Sequence, residues 1–317
     1  MMSTFPNSPQ HVLVTGGTGF VGQAVIKELL AKGYQVTVLS RNTQKVVRLW
    51  RDKVAGVSDL DTFQPSTPIS AIINLAGARI LGKPWTLHQR QVLKKSRILL
   101  TEKVVQWVET QTIKPKVLLS ASAIGYYGIQ PQGDQTALTE ASLPQPIFMS
   151  ELCQEWEQAA FQAAKQGVKV ATMRFGLVMG KGGALPMMLL PVRLGVGGRM
   201  GTGKQWLSWI HINDLVNAMG HVWQQLLAND TAPSTYNFTA PEVVTQQEFV
   251  QTAARILHRP AFIPTPALPV KLLLGEQADL LLEGQKVIPQ ALVATGFEFQ
   301  YPTVYQALEQ IIRQVKA

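Results

Sequence analysis

Short apolar runs alternate with stretches of helical periodicity through the first 180 residues. Residues 11–15 (HVLVT) are apolar and stop at glycines, the pattern of a buried strand. Val21, Val25 and Leu29 then recur at helical spacing, and Gly33 follows them, which predicts a helix over 21–31. The alternation continues with strands at 35–40 (QVTVLS) and 71–76 (AIINLA), and one long helix at 89–108. A strand at 116–122 (KVLLSAS), a helix at 151–165 closed by Gly167, and a strand at 169–175 (KVATMRF) complete it. Strands that are apolar at nearly every position, joined by helices, predict a parallel sheet covered on both faces. The fold class is therefore α/β, with a doubly wound parallel sheet.

After Gly176 the texture changes. Residues 180–203 are rich in Gly, Pro and Met and read as an excursion from the sheet. Strand patterns return at 209–212 and 236–239. A helix at 245–257, a proline-rich extended piece at 262–269 and a mostly helical remainder follow. This predicts a nucleotide-binding Rossmann domain over 10–180, rejoined by 205–240. A smaller lobe is built from 181–204 and 241–317. Met187, Met188, Leu189 and Leu190 are expected in the core of that lobe.

The sharpest motif is Thr15-Gly16-Gly17-Thr18-Gly19-Phe20-Val21-Gly22. It holds G-x-G-x-x-G at Gly17, Gly19 and Gly22, with a further glycine at Gly16. It follows a predicted strand and opens a predicted helix, the context a dinucleotide site requires. Glycines permit the tight turn, the approach of backbone to the pyrophosphate and close helix packing. The helix N-terminus adds free N–H groups and the positive end of its dipole. After the second strand an NAD site carries Asp or Glu for the ribose 2′-hydroxyl. This chain has Ser40-Arg41-Asn42, and a guanidinium beside a hydroxyl suits a 2′-phosphate. The expected cofactor is NADP(H).

The 317 residues are 46% hydrophobic and only 15% charged, which excludes a disordered chain. The net charge of +9 raises nucleic acid as a partner, but the basic residues at 41–53 and 90–97 form no dense block and lack interleaved aromatics. No nucleic-acid partner is expected. No apolar run reaches about 18 residues, so no integral membrane span is expected. The N-terminal segment has neither the basic nor the apolar region of a secretory signal. The lone Cys153 excludes an internal disulfide and fits a reducing compartment, cytoplasmic or stroma-like. Without a cluster of ligands beside His211 and Asp214, no metal site is expected.

These features resemble the short-chain dehydrogenase/reductase superfamily, of the extended epimerase/dehydratase type. The resemblance is nearer to a branch of "epimerase family" proteins of largely unassigned activity, some labelled cell-division inhibitors. It rests on TGGTGFVG (15–22), NLAG (74–77), SASAIGYYG (120–128), ELCQEWEQAA (151–160), RFGLVMGKGGAL (174–185), GTGKQWLSWIHINDL (201–215) and LLLEGQKVIPQAL (280–292). It implies that the glycine loop holds the pyrophosphate, and Ser40 and Arg41 the 2′-phosphate. It further implies Leu75 and Ala76 on the adenosine-ribose side, Arg97 approaching the cofactor and Val178 near the nicotinamide.

Enzymes of the superfamily use a Ser/Thr, a Tyr and a Lys, the last two spaced i, i+4 on one helix face. Aligned on Trp156-Glu157, the Tyr and Lys positions hold Met149 and Cys153, and neither can transfer or stabilise that proton. Ser122, at the end of a sheet strand, is the candidate to orient a substrate oxygen, and Tyr127, beside Tyr126, is the nearest substitute acid. Glu140 reads as a base or as a loop carboxylate. Asn213 and Asp214 read as residues that start a helix. Arg199, Trp206 and Trp209, with Met200 and Lys204, are expected to line a substrate cleft between the lobes. Two functions follow from these features. One is an NADP(H)-dependent oxidoreductase or epimerase-like enzyme acting on a small-molecule carbonyl or alcohol. The other is a catalytically impaired NADP(H)-binding regulator that engages a protein partner through the small lobe, for instance in cell or organelle division. The oligomeric state is left open.

Overall fold

The computed structural model describes residues 5–6, 10–268, 272 and 275–316. Seven strands form one parallel sheet: β1 (His11–Thr15), β2 (Gln35–Leu39), β3 (Ala55–Val57), β4 (Ile69–Asn74), β5 (Val117–Ala123), β6 (Lys169–Phe175) and β10 (Thr235–Phe238). Their order is β10-β6-β5-β4-β1-β2-β3. The chain winds outward from β1 in one direction and then restarts at β4 in the other. Thus β1 and β4 are hydrogen-bonded neighbours, with Thr15 beside Asn74, and the crevice at their carboxyl ends is the topological switch point where open α/β sheets bind ligands.

Strand residues alternate between the two layers. Val12, Val14, Val36, Val38, Ile73 and Leu119 pack with α1 (Phe20–Ala31) and α7 (Ile212–Ala228). Leu13, Ile72, Leu118 and Val170 pack with α4 (Leu100–Thr110) and α5 (Phe148–Phe161). Because both faces are covered, the strands read as continuous apolar runs. The long helix expected over 89–108 is instead α3 (Leu87–Lys94), a π turn (Lys95–Leu99) and α4. A π turn preserves apolar periodicity closely enough that the sequence does not reveal it.

A second apolar cluster lies outside the sheet. It joins α6 (Leu185–Arg193), α8 (Gln246–Leu257) and α9 (Val304–Lys316) around Leu185, Leu189, Trp209, Phe249, Leu308 and Ile312. Strand pairs β7 (Leu177–Met179) with β9 (Trp209–His211), and β8 (Trp206–Leu207) with β11 (Val244–Thr245), connect it to the sheet. The excursion at 180–203 thus contains a helix, which its glycines and prolines conceal: Pro186 occupies the first turn, where its missing N–H costs nothing. Leu189 is buried, but Met187 and Leu190 are exposed. The expected core stretch is therefore one face of a helix, with its other face in solvent. The predicted extended piece ends at residue 269, outside the described residues. Its described part, 262–268, begins without regular structure and turns helical at 267–268.

Candidate functional site

The glycine loop sits at the end of β1. Gly16 has φ +68°, and a Cβ there would stand 2.6 Å from the Leu75 carbonyl oxygen. Only glycine lets the loop lie against the end of β4. A Cβ on Gly22 would collide with the Gly16 carbonyl and stand 2.7 Å from the Gly17 Cα, so α1 seats directly on the loop. The Gly19 N–H donates to the Gly16 carbonyl at 2.9 Å, which closes the turn. Gly19 is the N-cap of α1, and no side chain caps that end. The first-turn N–H groups and the dipole of α1 are consequently directed out of the loop, as anion binding requires. The ring of Phe20 packs against Gly182 and Gly183, joining the loop to the connection after β7.

The floor beside the loop is a polar network. The Thr15 hydroxyl donates to Asn74 Oδ1 (2.6 Å) and accepts from the N–H groups of Leu75 and Ala76 (both 3.1 Å). Asn74 Nδ2 donates to Thr101 and Ser120. This network fixes Leu75 and Ala76 next to Gly16. Val178 lies in β7, opposite Ile210.

Two basic positions flank the crevice. Ser40 follows β2 and is half-buried, its hydroxyl oxygen accepting from the Asn42 N–H at 3.2 Å. Arg41 is exposed, and Asn42 caps α2 (Thr43–Trp50) by accepting from the Lys45 N–H at 2.9 Å. Residues 40–48 contain no carboxylate that would repel a 2′-phosphate. Arg97 belongs to the π turn and donates to the Ala78 carbonyl at 3.0 Å. Its guanidinium lies 5.3 Å from the Trp156 ring centroid and against Gly77. Burial lowers its pKa, with the Cys153 thiol acting in the opposite direction. The cradle, the uncapped helix end and these cations fit a phosphorylated dinucleotide.

The next strands present a different picture. Ser122 and Tyr127 are each 2% exposed. The Ser122 hydroxyl donates to Glu157 Oε1 at 2.6 Å. Arg174 grips the same carboxylate with two bonds, Nε to Oε1 and Nη2 to Oε2, both 2.8 Å. Its Nη1 donates to the Tyr127 hydroxyl at 3.0 Å, and that hydroxyl donates to Asn237 Oδ1 at 2.7 Å. The guanidinium also lies 3.4 Å from the Tyr126 ring centroid. Glu140 is a structural carboxylate: its Oε1 accepts from the N–H groups of Asn237 and Ala291. Burial pushes the Tyr127 phenol up to about 12, against the lowering influence of Arg174, and burial also pushes the Cys153 thiol up to about 12. The two hydroxyls expected to face substrate thus face a closed, buried network. Sequence reading missed Glu157, Arg174 and Asn237. One signal was available: a Glu on an apolar helix and an Arg in an apolar strand are rarely buried unless paired.

The expected cleft trio is not brought together. Trp209 is fully buried in the second apolar cluster, because β9 pairs with β7 inside the lobe junction, and it lines no cleft. Trp206 is an anchor: its indole N–H donates to the Asp134 carbonyl at 2.8 Å, and Lys286 Nζ lies 4.8 Å from its ring centroid. Arg199 lines a separate recess of about 300 Å³ with Gln247, Gln251 and Phe262. Asn213 and Asp214 lie in the first turn of α7, as expected, and His211 caps it, its Nδ1 accepting from the Asn213 N–H. The Asp214 carboxylate accepts from the Gln300 and Tyr301 N–H groups. No metal-ligand cluster occurs among the described residues.

Residues 12–238 match the model of the NAD dependent epimerase/dehydratase family. The chain belongs to that family. Residues 265–311 also match a domain of unknown function, a match that reaches into α9. An epimerase family protein of Staphylococcus saprophyticus is 39% identical, over 96% of this chain and 99% of its own. A chloroplastic epimerase family protein of Arabidopsis thaliana is 38% identical, over 99% and 90%. Among solved structures, the human epimerase family protein SDR39U1, determined with NADPH, is 34% identical and superposes with a TM-score of 0.82, covering 96% of this chain and 99% of that one. The epimerase-family fold is thus shared across nearly the whole chain, small lobe included.

Proposed function

We propose that this protein binds NADP(H) and is an oxidoreductase or epimerase-like enzyme acting on a small-molecule carbonyl or alcohol in a reducing compartment. The observation that carries the reading is the glycine cradle with an uncapped α1 N-terminus, beside a β2 end that offers Ser40 and Arg41 and no carboxylate. The solved relative determined with NADPH supports the same choice. When bound, the cofactor supplies or accepts a hydride. Gly16, Gly17, Thr18, Gly19, Phe20, Val21 and Gly22 cradle the pyrophosphate with backbone N–H groups. Arg41 and Ser40 hold the 2′-phosphate, Leu75 and Ala76 wall the adenosine ribose, and Val178 walls the nicotinamide side. Arg97 places a fixed cation over the crevice at Gly77. The proton comes from water, because the hydroxyls of Ser122 and Tyr127 are committed to Glu157, Arg174 and Asn237.

That same commitment favours a second reading, a catalytically silent NADP(H)-dependent regulator. One experiment separates the two. The purified protein is incubated with NADPH deuterated at the transferable carbon and a metabolite extract, with Arg41→Ala as control. Label in a metabolite that disappears in the control establishes the enzyme. NADPH binding that Arg41→Ala weakens about 10–100-fold, with no label transferred, rules out net hydride transfer and moves the weight to the regulator, leaving as an enzyme only an epimerase that returns its hydride. Equal affinity of the two proteins for NADPH removes Arg41 from the site.

A further inference from the structure

The outer face of the small lobe is apolar where soluble surfaces are polar. On α6, Met187 (78% exposed), Leu190 and Leu194 (68%) recur one helical turn or two apart and face away from the buried Leu185, Leu189 and Val192. The chain after α6 carries this surface onward. The Ile263 N–H donates to the Gly197 carbonyl and the Thr265 N–H to the Arg199 carbonyl, and Pro260 packs near Gly195. These bonds bring Val196 alongside Phe262 (77% exposed) and Ile263. A contiguous apolar patch of this kind marks an interaction surface.

Its charge identifies the partner. Residues 181–204 and 255–268, which build the face, contribute Lys181, Arg193, Arg199, Lys204, Arg255 and Arg259 and not a single carboxylate. No ion pair engages Arg193, Arg199, Arg255 or Arg259 among the described residues. A second copy of the chain would set these cations against their like across a two-fold interface, which is unfavourable. The recess beside the patch holds about 300 Å³ and is lined by Arg199, Gln247, Gln251, Val250, Ala261 and Phe262. Arg199 and the two glutamines can donate to a phosphate, and Phe262 belongs both to the recess and to the apolar patch.

We propose that this face docks on an anionic lipid bilayer. Arg199 and the two glutamines take a phospholipid headgroup, while Met187, Leu190, Leu194, Val196, Phe262 and Ile263 enter the acyl boundary. The attachment is peripheral: no described helix is long and apolar enough to cross a membrane. Exposed apolar side chains on segments whose charges are all positive are the combination that binds such interfaces, through buried area and attraction to anionic lipid.

The test is cosedimentation of the full chain with phosphatidylcholine vesicles, with and without phosphatidylglycerol. Binding is expected only with phosphatidylglycerol, and weaker at high salt. Leu194→Glu with Phe262→Glu should abolish it, and Arg199→Ala should reduce it about five-fold, the contribution of one cation near an anionic surface. Those side chains are exposed, so melting temperature and NADPH affinity should match the parent in each variant. Failure to bind phosphatidylglycerol vesicles at low salt overturns the proposal. Binding that survives the double glutamate variant overturns it too. So does light scattering that shows a dimer which the same variant dissociates, because the occupant is then a second copy.

Discussion

The end of β1 and the ends of β5 and β6, two and three strands away, lie at the carboxyl end of one sheet, and they are built on opposite principles. At β1 the polar groups left open are backbone N–H groups, without a capping side chain and beside glycines where no Cβ fits. At β5 and β6 the polar groups are side chains, and they satisfy each other: Ser122 with Glu157, Glu157 with Arg174, Arg174 with Tyr127, Tyr127 with Asn237. The first is a surface waiting for a ligand. The second is a finished piece of core that happens to be polar. A site kept open by bare backbone is incomplete without its ligand, whereas a network closed on itself supports the fold whether or not a ligand is present.

The comparison breaks most visibly at Glu157. Replacing it with Ala strands the Arg174 guanidinium in the interior, a loss of about 3–5 kcal/mol for a buried pair. Urea melts should show that loss, while NADPH affinity at a temperature where the variant is folded should stay within about three-fold. Replacing both residues with Met should restore most of the stability, since two apolar side chains leave no charge behind. A variant of full stability that has lost NADPH binding would show that the closed network and the open cradle are one site.

Acid provides the next separation. His211 is 1% exposed, its ring tilted 39° against Tyr301 at 3.9 Å between centroids and bonded to Gln310. Burial lowers its pKa from 6.5 to about 4, the Gln310 bond opposing. Between those values the unfolded imidazole takes up a proton that the folded one refuses. The neutral-His contribution is therefore complete above pH 6.5 and lost as pH falls toward 4, about 3 kcal/mol across the window. The glycine loop carries no titratable side chain. Melting temperature should fall through this window, and His211→Asn, which keeps an acceptor for the Asn213 N–H, should flatten the slope. Short of unfolding, NADPH affinity should fall only by the smaller amount that follows protonation of the ligand's own 2′-phosphate at about pH 6.

Gly22→Val attacks the other side of the comparison. Its side chain meets the Gly16 carbonyl, so α1 must lift off the loop. Overpacking of this size costs about 1–3 kcal/mol in stability. Affinity for NADPH should fall by about 100-fold, because the N–H groups of α1 lose their aim at the phosphate. Isothermal titration and a thermal melt, run together, distinguish lost binding from lost fold.

The asymmetry also governs what the sequence discloses. Strands β1, β5 and β6 read directly from their apolar runs, and the glycine loop reads from its spacing, because a backbone constraint writes itself as residue type at fixed positions. The buried cluster is written nowhere locally. Ser122 and Glu157 are 35 residues apart, and Tyr127 and Asn237 are 110 apart. Nothing in SASAIGYYG says that Tyr127 will find Asn237 across the sheet, so a serine and a tyrosine at a strand end read as chemistry. Trp209 misled for a similar reason. A tryptophan a few residues after Arg199 and Lys204 looks like a cleft wall until β9 is seen to pair with β7 inside the lobe junction. Helix α6 was hidden because Pro186 and Pro191 argue against a helix, although the first lies in the permitted first turn.

The finest test is Tyr127→Phe. The substitution removes one oxygen and keeps the ring that fills the space beside Tyr126. Asn237 Oδ1 loses its donor, and Arg174 Nη1 loses a neutral acceptor while both bonds to Glu157 remain. Two weakened partners in a buried network cost about 1–2 kcal/mol. Thermal melts should register that small loss. Turnover should then decide what the hydroxyl does, with the metabolite found by deuterium tracing as substrate. A positioned proton donor is worth about 10²–10⁴ in rate, and its removal also changes the pH–rate profile. A hydroxyl that only ties Arg174 to Asn237 leaves kcat within about three-fold and the profile in place, because the ring and the ion pair still hold the strand ends together. The second outcome is expected, since the phenol is buried with a pKa near 12 and its proton is already given to Asn237. The first would return Tyr127 to the reacting centre and require the closed network to open when substrate binds.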